Sequence, residues 1–138
     1  MQFEEIDSKD EALIEAAREV LQKRYRDDRH TVAAAVLSGS GQVYVGLNIE
    51  ACGYGPCAEP IALGAAFTNG DSDIRRIVAV RRREDSYPVL SPCGNCRQII
   101  LEHAPKAMVI FENDGRIMKA TARNLLPGPY TADSRRAS

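Results

Sequence analysis

Three cysteines and one glutamate have the residue types and spacing of a metal-dependent active site. Glu59 follows Cys57 by two residues, and two residues separate Cys93 from Cys96. With this spacing, both sulfurs of the second pair can reach one ion from the first turn of a helix. Three thiolates leave the fourth position of a tetrahedral zinc ion open, which is typical of catalytic rather than structural sites. The sequence therefore predicts a catalytic Zn²⁺ ion held by Cys57, Cys93 and Cys96.

Glu59 provides the second requirement of such a site, a group that moves protons. Zinc lowers the pKa of its bound water to about 7, so that hydroxide forms near neutral pH and its proton needs an acceptor. Because Glu59 comes two residues after a ligand, it can lie beside the metal without binding it. We therefore predict that Glu59 is the catalytic acid and base. The alternative is a carboxylate placed at a helix start because the helix dipole favours it there.

The fourth cysteine leaves a different zinc site open. Four residues separate Cys52 from Cys57, so Cys52 could close a structural Cys₄ site. That arrangement gives Glu59 no role. We therefore favour Cys52 as a loop thiol near the pocket.

Two helices must present these side chains. Proline is tolerated in the first turn of a helix but not in its interior, so Pro60 places Cys57 and Glu59 at the N-terminus of a helix over 57–67. The SPCG segment opens a second helix over 91–103. At both positions the backbone N–H groups and the positive end of the helix dipole favour thiolate over thiol, which is the form that binds metal.

The remaining pattern predicts an α/β fold. Apolar residues recur at helical spacing from Lys9 to Tyr25, and Ser8 is the predicted N-cap. Strands are predicted at Val32–Leu37, Val43–Asn48, Ile74–Val80, Ala107–Phe111 and Arg116–Lys119. Since two of the helices link strands, we expect a three-layer α/β/α sandwich around a mixed five-stranded sheet.

Composition limits the function classes. The 138 residues suit one domain, which we place at 1–133, with 134–138 as a disordered tail. A balance of 18 Lys+Arg against 19 Asp+Glu, with no Trp, argues against a nucleic-acid polymer as partner. The longest apolar run, Val32–Leu37, is too short to span a membrane, and the acidic N-terminus does not resemble a signal peptide. We therefore expect a cytoplasmic protein with no membrane partner and with reduced or metal-bound cysteines.

Two segments closely resemble the signature of the zinc-dependent cytidine deaminase family: CAE at 57–59 and SPCGNCRQ at 91–98. The general zinc-deaminase signature has a histidine where this chain has Cys57, and an all-cysteine set is typical of the small enzymes that act on free nucleosides. The resemblance extends from about His30 to Tyr130. It implies the cytidine deaminase fold, a Zn²⁺ cofactor and hydrolytic deamination of a small-molecule nucleoside.

The resemblance also implies roles for individual residues. The backbone of Ala58 would meet the carbonyl of the pyrimidine ring, and the Ser91 carbonyl would accept a hydrogen bond from the departing amino group. Asn48 and Glu50 match a segment that grips ribose hydroxyls. Members of the family form homotetramers, in which the segment matching 125–130 reaches a neighbour's pocket and would bring Tyr130 to the substrate.

Departures from the family pattern concern the substrate more than the reaction. His30 replaces an aromatic residue beside the nucleoside, and Tyr130 stands where many members have phenylalanine. Pro60 replaces an arginine that offsets thiolate charge, which leaves the helix ends and Arg97 for that task. Cytidine or deoxycytidine is the preferred substrate because Asn48 and Glu50 are retained. The alternative is a cytosine-nucleoside antibiotic such as blasticidin S, because the GP at 55–56 and Pro60 resemble the blasticidin-S deaminase branch.

Two other classes of protein are compatible with part of this pattern. In a zinc-stabilised scaffold without turnover, Glu59→Gln would be silent and Cys52→Ser damaging. An enzyme that edits polynucleotides would need basic surface and stacking aromatics, whereas this chain is almost neutral and has only five Tyr and three Phe.

Overall fold

A mixed β-sheet forms the centre of the protein in the computed structural model, which describes residues 3–131. The strands are β1 (Glu4–Glu5), β2 (Val32–Ser38), β3 (Val43–Leu47), β4 (Ile74–Arg81), β5 (Val89–Leu90), β6 (Met108–Asn113) and β7 (Arg116–Thr121). The helices are α1 (Ser8–Arg24), α2 (Ala58–Thr68) and α3 (Gly94–His103), followed by a 3₁₀ helix at Ala122–Leu125. The tail predicted at 134–138 lies outside the described residues.

The strands follow the order β1-β7-β6-β4-β2-β3, and β5 pairs with β4 beside this path. Only β4 and β6 run parallel among the described strands; the other pairs are antiparallel. The five predicted strands are present as β2, β3, β4, β6 and β7. The described sheet has seven strands because β1 and β5 are added to these five. The sequence does not predict β1 and β5, since each contains only two residues, too few to show an alternating pattern.

Helices cover both faces of the sheet, which confirms the predicted three-layer class. Along β2, Ala33 and Ala35 pack in a cluster with α1, whereas Ala34 and Val36 pack in a cluster with α2 and α3. All four residues have no exposed surface. A strand buried on both faces contains a continuous apolar run instead of an alternation.

A glycine brings α2 close to the sheet. A Cβ atom on Gly46 of β3 would lie 2.6 Å from the backbone nitrogen of Ala62 in α2. The close approach therefore leaves no room for a side chain at position 46. It helps to set the position of α2, whose first turn contains the predicted catalytic residue.

The start of α1 differs from the prediction. The N-cap is Asp7 rather than Ser8, and Asp7 and Asp10 form a capping box in which each side chain accepts from the other's backbone N–H. Asp10 is completely buried, and it accepts hydrogen bonds from Arg76 Nη1 at 2.6 Å and Lys119 Nζ at 2.8 Å. We call Asp7, Asp10, Arg76 and Lys119 the α1 anchor, because they join α1 to β4 and β7.

None of the helices within residues 3–131 is long and apolar enough to cross a membrane.

Candidate active site

Helices α2 and α3 each follow a cysteine: α2 starts one residue after the predicted position 57, and α3 starts at Gly94 rather than at the predicted Ser91. Cys57 and Cys93 are the N-caps, with nearly identical backbone angles of φ −69° and ψ 167° for one and φ −69° and ψ 169° for the other. Neither side chain makes a capping hydrogen bond. The sulfur atoms at the two helix ends therefore remain available to another partner.

The three predicted ligands fit a zinc ion. The Sγ atoms of Cys57, Cys93 and Cys96 all lie within 4.8 Å of one another, and those of Cys57 and Cys93 are 3.7 Å apart. Zn–S bonds of about 2.3 Å in a tetrahedron place sulfurs about 3.8 Å apart. Cys52 is exposed and is not part of this group, so the described residues do not support the closed Cys₄ alternative.

Glu59 lies beside the cysteine cluster in the first turn of α2. Its side chain is only 4% exposed, and Oε1 is 3.6 Å from Cys96 Sγ. Burial raises the pKa of the Glu59 carboxyl above its ordinary value. A raised pKa brings a carboxyl group closer to neutral pH, where it can both accept and release protons.

The thiols of the cluster differ in their tendency to ionise. Burial raises the pKa of Cys57 and the pKa of Cys96, and for Cys96 the nearby Glu59 carboxylate adds to the effect. Partial burial opposes ionisation of Cys93, but the nearby backbone N–H of Cys96 and the neighbouring thiols leave the pKa of Cys93 below its ordinary value. Three thiolates in so small a space repel one another, and a divalent cation is the partner that stabilises them together.

A cavity of about 340 Å³ opens next to this cluster. Its walls contain four of the predicted substrate residues together with Cys57, Glu59 and Cys93: Asn48, Glu50, Ala58 and Ser91. The volume is suitable for a small molecule. The cavity lies at the end of the sheet where β2 starts and β3 ends, so residues far apart in the chain meet there.

Two predicted substrate residues do not line this cavity. His30 lies behind Asn48, with its Nδ1 atom 2.9 Å from the Asn48 carbonyl oxygen. Tyr130 is 53% exposed, and its carbonyl oxygen accepts a hydrogen bond from Gln98. Within one copy of the chain, His30 supports the wall, and contact between Tyr130 and a substrate stays a prediction.

Two polar side chains near the site have contacts that the sequence analysis did not anticipate. Thr31 Oγ1 donates a hydrogen bond to Glu50 Oε2 at 3.0 Å. The Arg97 guanidinium donates to the carbonyls of Pro92 at 2.8 Å and Leu125 at 2.7 Å. These bonds join the start of α3 to the backbone before Cys93 and to the 3₁₀ helix, and the part of Arg97 in offsetting the thiolate charge stays a prediction.

Similarity to known proteins agrees with this geometry. The family model for the cytidine and deoxycytidylate deaminase zinc-binding region matches residues 7–112. The chain belongs to this family. Family membership confirms the predictions of a zinc cofactor and a zinc-dependent hydrolase of the deaminase type.

Relatives with two different named activities are similar to this member of the deaminase family. It is 38% identical over 133 residues to a blasticidin-S deaminase from Bacillus cereus, covering 91% of this chain and 95% of the relative. It is also 38% identical over 109 residues to a cytidine deaminase from Halalkalibacterium halodurans, covering 76% of this chain and 80% of the relative. The crystal structure of cytidine deaminase from Burkholderia pseudomallei superimposes with a TM-score of 0.71 at 32% identity, over 87% of this chain and 98% of that one.

Proposed function

We propose that this protein converts cytidine or deoxycytidine by hydrolysis to uridine or deoxyuridine and ammonia. The observation that carries the proposal is the position of Glu59, a buried carboxyl 3.6 Å from a predicted zinc ligand in the wall of a cavity of about 340 Å³. The similarity to cytidine deaminases in both sequence and structure supports it.

The reaction requires one water molecule and a group that transfers its protons. When bound by Cys57, Cys93 and Cys96, zinc supplies a Lewis acid that makes water a nucleophile near neutral pH. The oxygen of water forms a bond to C4 of the pyrimidine, and the bond from C4 to the amino nitrogen breaks. Of the two protons of water, one goes to ring N3 and the other leaves with ammonia. Glu59 is the group that carries both.

Backbone groups at the cavity wall are suitable for orienting the ring. Ala58 is the first residue of α2, and the first N–H groups of a helix have no partner within it. The Ser91 hydroxyl already donates to the Glu112 carbonyl at 2.7 Å. That bond uses the only proton of the hydroxyl. The role proposed for Ser91 is that its backbone carbonyl accepts a hydrogen bond from the amino group of the substrate.

The charge of the cavity favours a nucleoside over a nucleotide. Its described wall contains Glu50 and Glu59 but no lysine or arginine. A phosphate group would meet like charge there without a cation to balance it. The three consecutive arginines at 81–83 do not line it.

A second candidate substrate is blasticidin S. At equal identity, the similarity to blasticidin-S deaminase covers more of this chain than the similarity to the Halalkalibacterium cytidine deaminase, 91% against 76%. We call the end of the cavity that contains Asn48 and Glu50 the sugar end. Gly55, part of the GP pair that resembles this branch, packs tightly there: a Cβ atom on it would be 2.7 Å from the Ile49 carbonyl oxygen.

The proposal is tested by ammonia release from cytidine, deoxycytidine and blasticidin S, with zinc content measured on the same samples. We expect turnover of cytidine that is lost in Glu59→Ala while zinc is retained. A higher kcat/KM for blasticidin S would favour the second candidate. A zinc-loaded wild-type protein that deaminates none of them would overturn the proposal in favour of the structural-zinc class.

We also infer a cytoplasmic homotetramer. The segment 125–130 is bound to α3 through Arg97 and Gln98, and the exposed Tyr130 is available to a neighbouring copy. Cysteines that serve as metal ligands rather than as disulfides are typical of a reducing compartment. Light scattering coupled to size exclusion should give four times the chain mass, and a monomer would contradict the assembly.

A further inference from the structure

The sugar end of the cavity contains a hydrogen-bond network that uses every polar position of the Asn48 side chain. Oδ1 accepts from the backbone N–H groups of Thr31 at 2.7 Å and Val32 at 2.9 Å. Nδ2 donates to Thr31 Oγ1 at 3.2 Å and to Glu50 Oε2 at 2.9 Å. An amide side chain offers two donors and two acceptor positions. Asn48 therefore has nothing left for a sugar hydroxyl unless one of these bonds breaks.

Glu50 has one engaged oxygen and one available oxygen. Oε2 accepts from Thr31 Oγ1 at 3.0 Å as well as from Asn48. Within residues 3–131, no side chain or backbone group donates to Oε1, and Glu50 lines the cavity. A carboxylate oxygen can accept two hydrogen bonds, so Oε1 has the capacity to bind the hydroxyls of a sugar.

The backbone around this network is fixed independently of the Thr31 hydroxyl. The N–H of Glu50 donates to the Arg29 carbonyl at 3.0 Å, and the N–H of Asn48 donates to the Val32 carbonyl at 3.1 Å. The His30 ring contacts the Asn48 carbonyl at 2.9 Å. The hydroxyl of Thr31 is therefore not needed to bring the two segments together. It adds an acceptor for the Asn48 amide and a donor that orients the Glu50 carboxylate.

We propose that Thr31 is a positioning residue for sugar recognition: its hydroxyl, together with the Asn48 amide, fixes the Glu50 carboxylate so that Oε1 accepts hydrogen bonds from the sugar hydroxyls of the substrate. The inference rests on the proposed nucleoside deamination and deepens it. An exposed glutamate otherwise samples several rotamers, and ordering it on binding reduces affinity. Two bonds to one oxygen remove that cost before the substrate arrives.

The first test is Thr31→Val, which removes the hydroxyl and keeps the shape. KM for cytidine should rise about fivefold, because one of two hydrogen bonds to a charged group is lost, while kcat stays within about twofold. KM for 2′,3′-dideoxycytidine, which has no sugar hydroxyl at those positions, should not change. Thr31→Ser should restore the wild-type KM. The matched control is Thr68→Val at the exposed far end of α2, which should change neither constant.

A double-mutant cycle separates positioning from a general structural effect. In a Glu50→Ala background, Thr31→Val should cause no further increase in KM for cytidine. An equal increase in that background, or an equal increase for the dideoxynucleoside, would overturn the inference.

The activity of the wild-type protein distinguishes a failure of the proposed deamination from a failure of the role of Thr31. If it turns over cytidine and Thr31→Val changes nothing, the inference alone fails. If it deaminates no cytosine nucleoside, the proposed function fails and the inference with it. Turnover of blasticidin S alone would also overturn the inference, because the hydroxyls of cytidine would then not be what Glu50 recognises.

Discussion

The N-terminus of α1 differs from the N-termini of α2 and α3 in what its N-cap side chain binds. At α1, Asp7 caps the helix, and the buried Asp10 is matched by Arg76 and Lys119 at 2.6 and 2.8 Å. At α2 and α3, the N-caps are cysteines that make no capping hydrogen bond. The charges of the α1 anchor are thus paired within the chain, whereas the cysteine sulfurs at the other two helix ends are available to bind a metal ion.

The two buried carboxyl groups show the same contrast. Asp10 has no exposed surface and Glu59 is 4% exposed, so burial alone does not distinguish them. Asp10 faces two cations, while the nearest side-chain partner of Glu59 is a thiol. A carboxylate paired with basic side chains is held ionised in the fold, whereas a buried carboxyl with no basic side chain beside it is suited to proton transfer. The four predictions below test this division, starting with the largest effect.

Exchanging the carboxyl of each site for an amide should separate activity from stability most clearly. Glu59→Gln should lower kcat by about 10³-fold or more, which corresponds to roughly 4 kcal/mol in activation free energy, because the amide cannot carry protons. The melting temperature and zinc content should stay near wild type. Asp10→Asn should lower the melting temperature and leave kcat near the wild-type value. Steady-state kinetics and thermal denaturation of both variants test this prediction. An active Glu59→Gln enzyme would contradict the assignment of Glu59 as the catalytic carboxyl and Asp10 as the structural one.

Truncating Asp10 should destabilise the fold strongly. Asp10→Ala leaves Lys119 buried, with 7% exposure, beside fewer negative charges, and breaking a buried ion pair costs about 3–5 kcal/mol. Urea denaturation should show this loss in the free energy of unfolding. Arg75→Ala removes a more exposed pair with Asp73 and should cost less than about 1 kcal/mol. Equal losses in the two variants would contradict a special role for the α1 anchor.

Removing zinc should destabilise the protein to a smaller extent. A ligand that binds only the folded state stabilises it by about 3–4 kcal/mol at 100 to 1,000 times its Kd. A chelator should therefore lower the melting temperature and abolish turnover, and zinc should restore both. Cys93→Ser should bind less zinc, whereas Cys52→Ser should behave as wild type because Cys52 lies outside the sulfur group. Zinc loss in Cys52→Ser would revive the Cys₄ arrangement.

The smallest effect concerns acid. Hydrogen bonds from the Arg76 guanidinium and the Asp10 backbone, with a further contribution from Lys119, hold the pKa of Asp7 well below its ordinary value of 3.8. A carboxyl group whose pKa is lower in the folded state adds stability above its unfolded pKa, and this stability is lost as the pH falls through the folded value. The difference in unfolding free energy between wild type and Asp7→Asn should thus be largest above about pH 5 and shrink in stronger acid. A constant difference from pH 7 to pH 3 would show that the charge of Asp7 is not involved.

The sequence predicted best what depends on local chemistry. Pro60 placed the start of α2 within one residue of Ala58, because the fixed geometry of proline acts over a few positions. The start of α3 was predicted three residues too early, at Ser91 instead of Gly94. The strand β5 could not be predicted in this way, since its pairing with β4 is determined by tertiary contacts. The N-cap of α1 was off by one residue because Asp7 and Ser8 both have capping side chains, and the capping box with Asp10 decides between them.

The contacts of Thr31 were missed for a different reason. Thr31 precedes β2 and Glu50 follows β3, so they meet only because these strands pair antiparallel, with Ala33 opposite Leu47. The predicted hairpin contained this information, but which side chains bond across it depends on rotamers. For Arg97, the acceptor on Leu125 lies 28 positions away in the chain, and no local pattern indicates it.

The close packing at Gly46 has a consequence for reading mutational data. A side chain there would collide with the backbone of Ala62 and Ile61 and push the start of α2 away from the sheet. In a deep mutational scan selected on deamination, position 46 should therefore tolerate almost no replacement, and would score like an active-site residue. Its intolerance would report the packing between a helix and a strand rather than any contact with substrate.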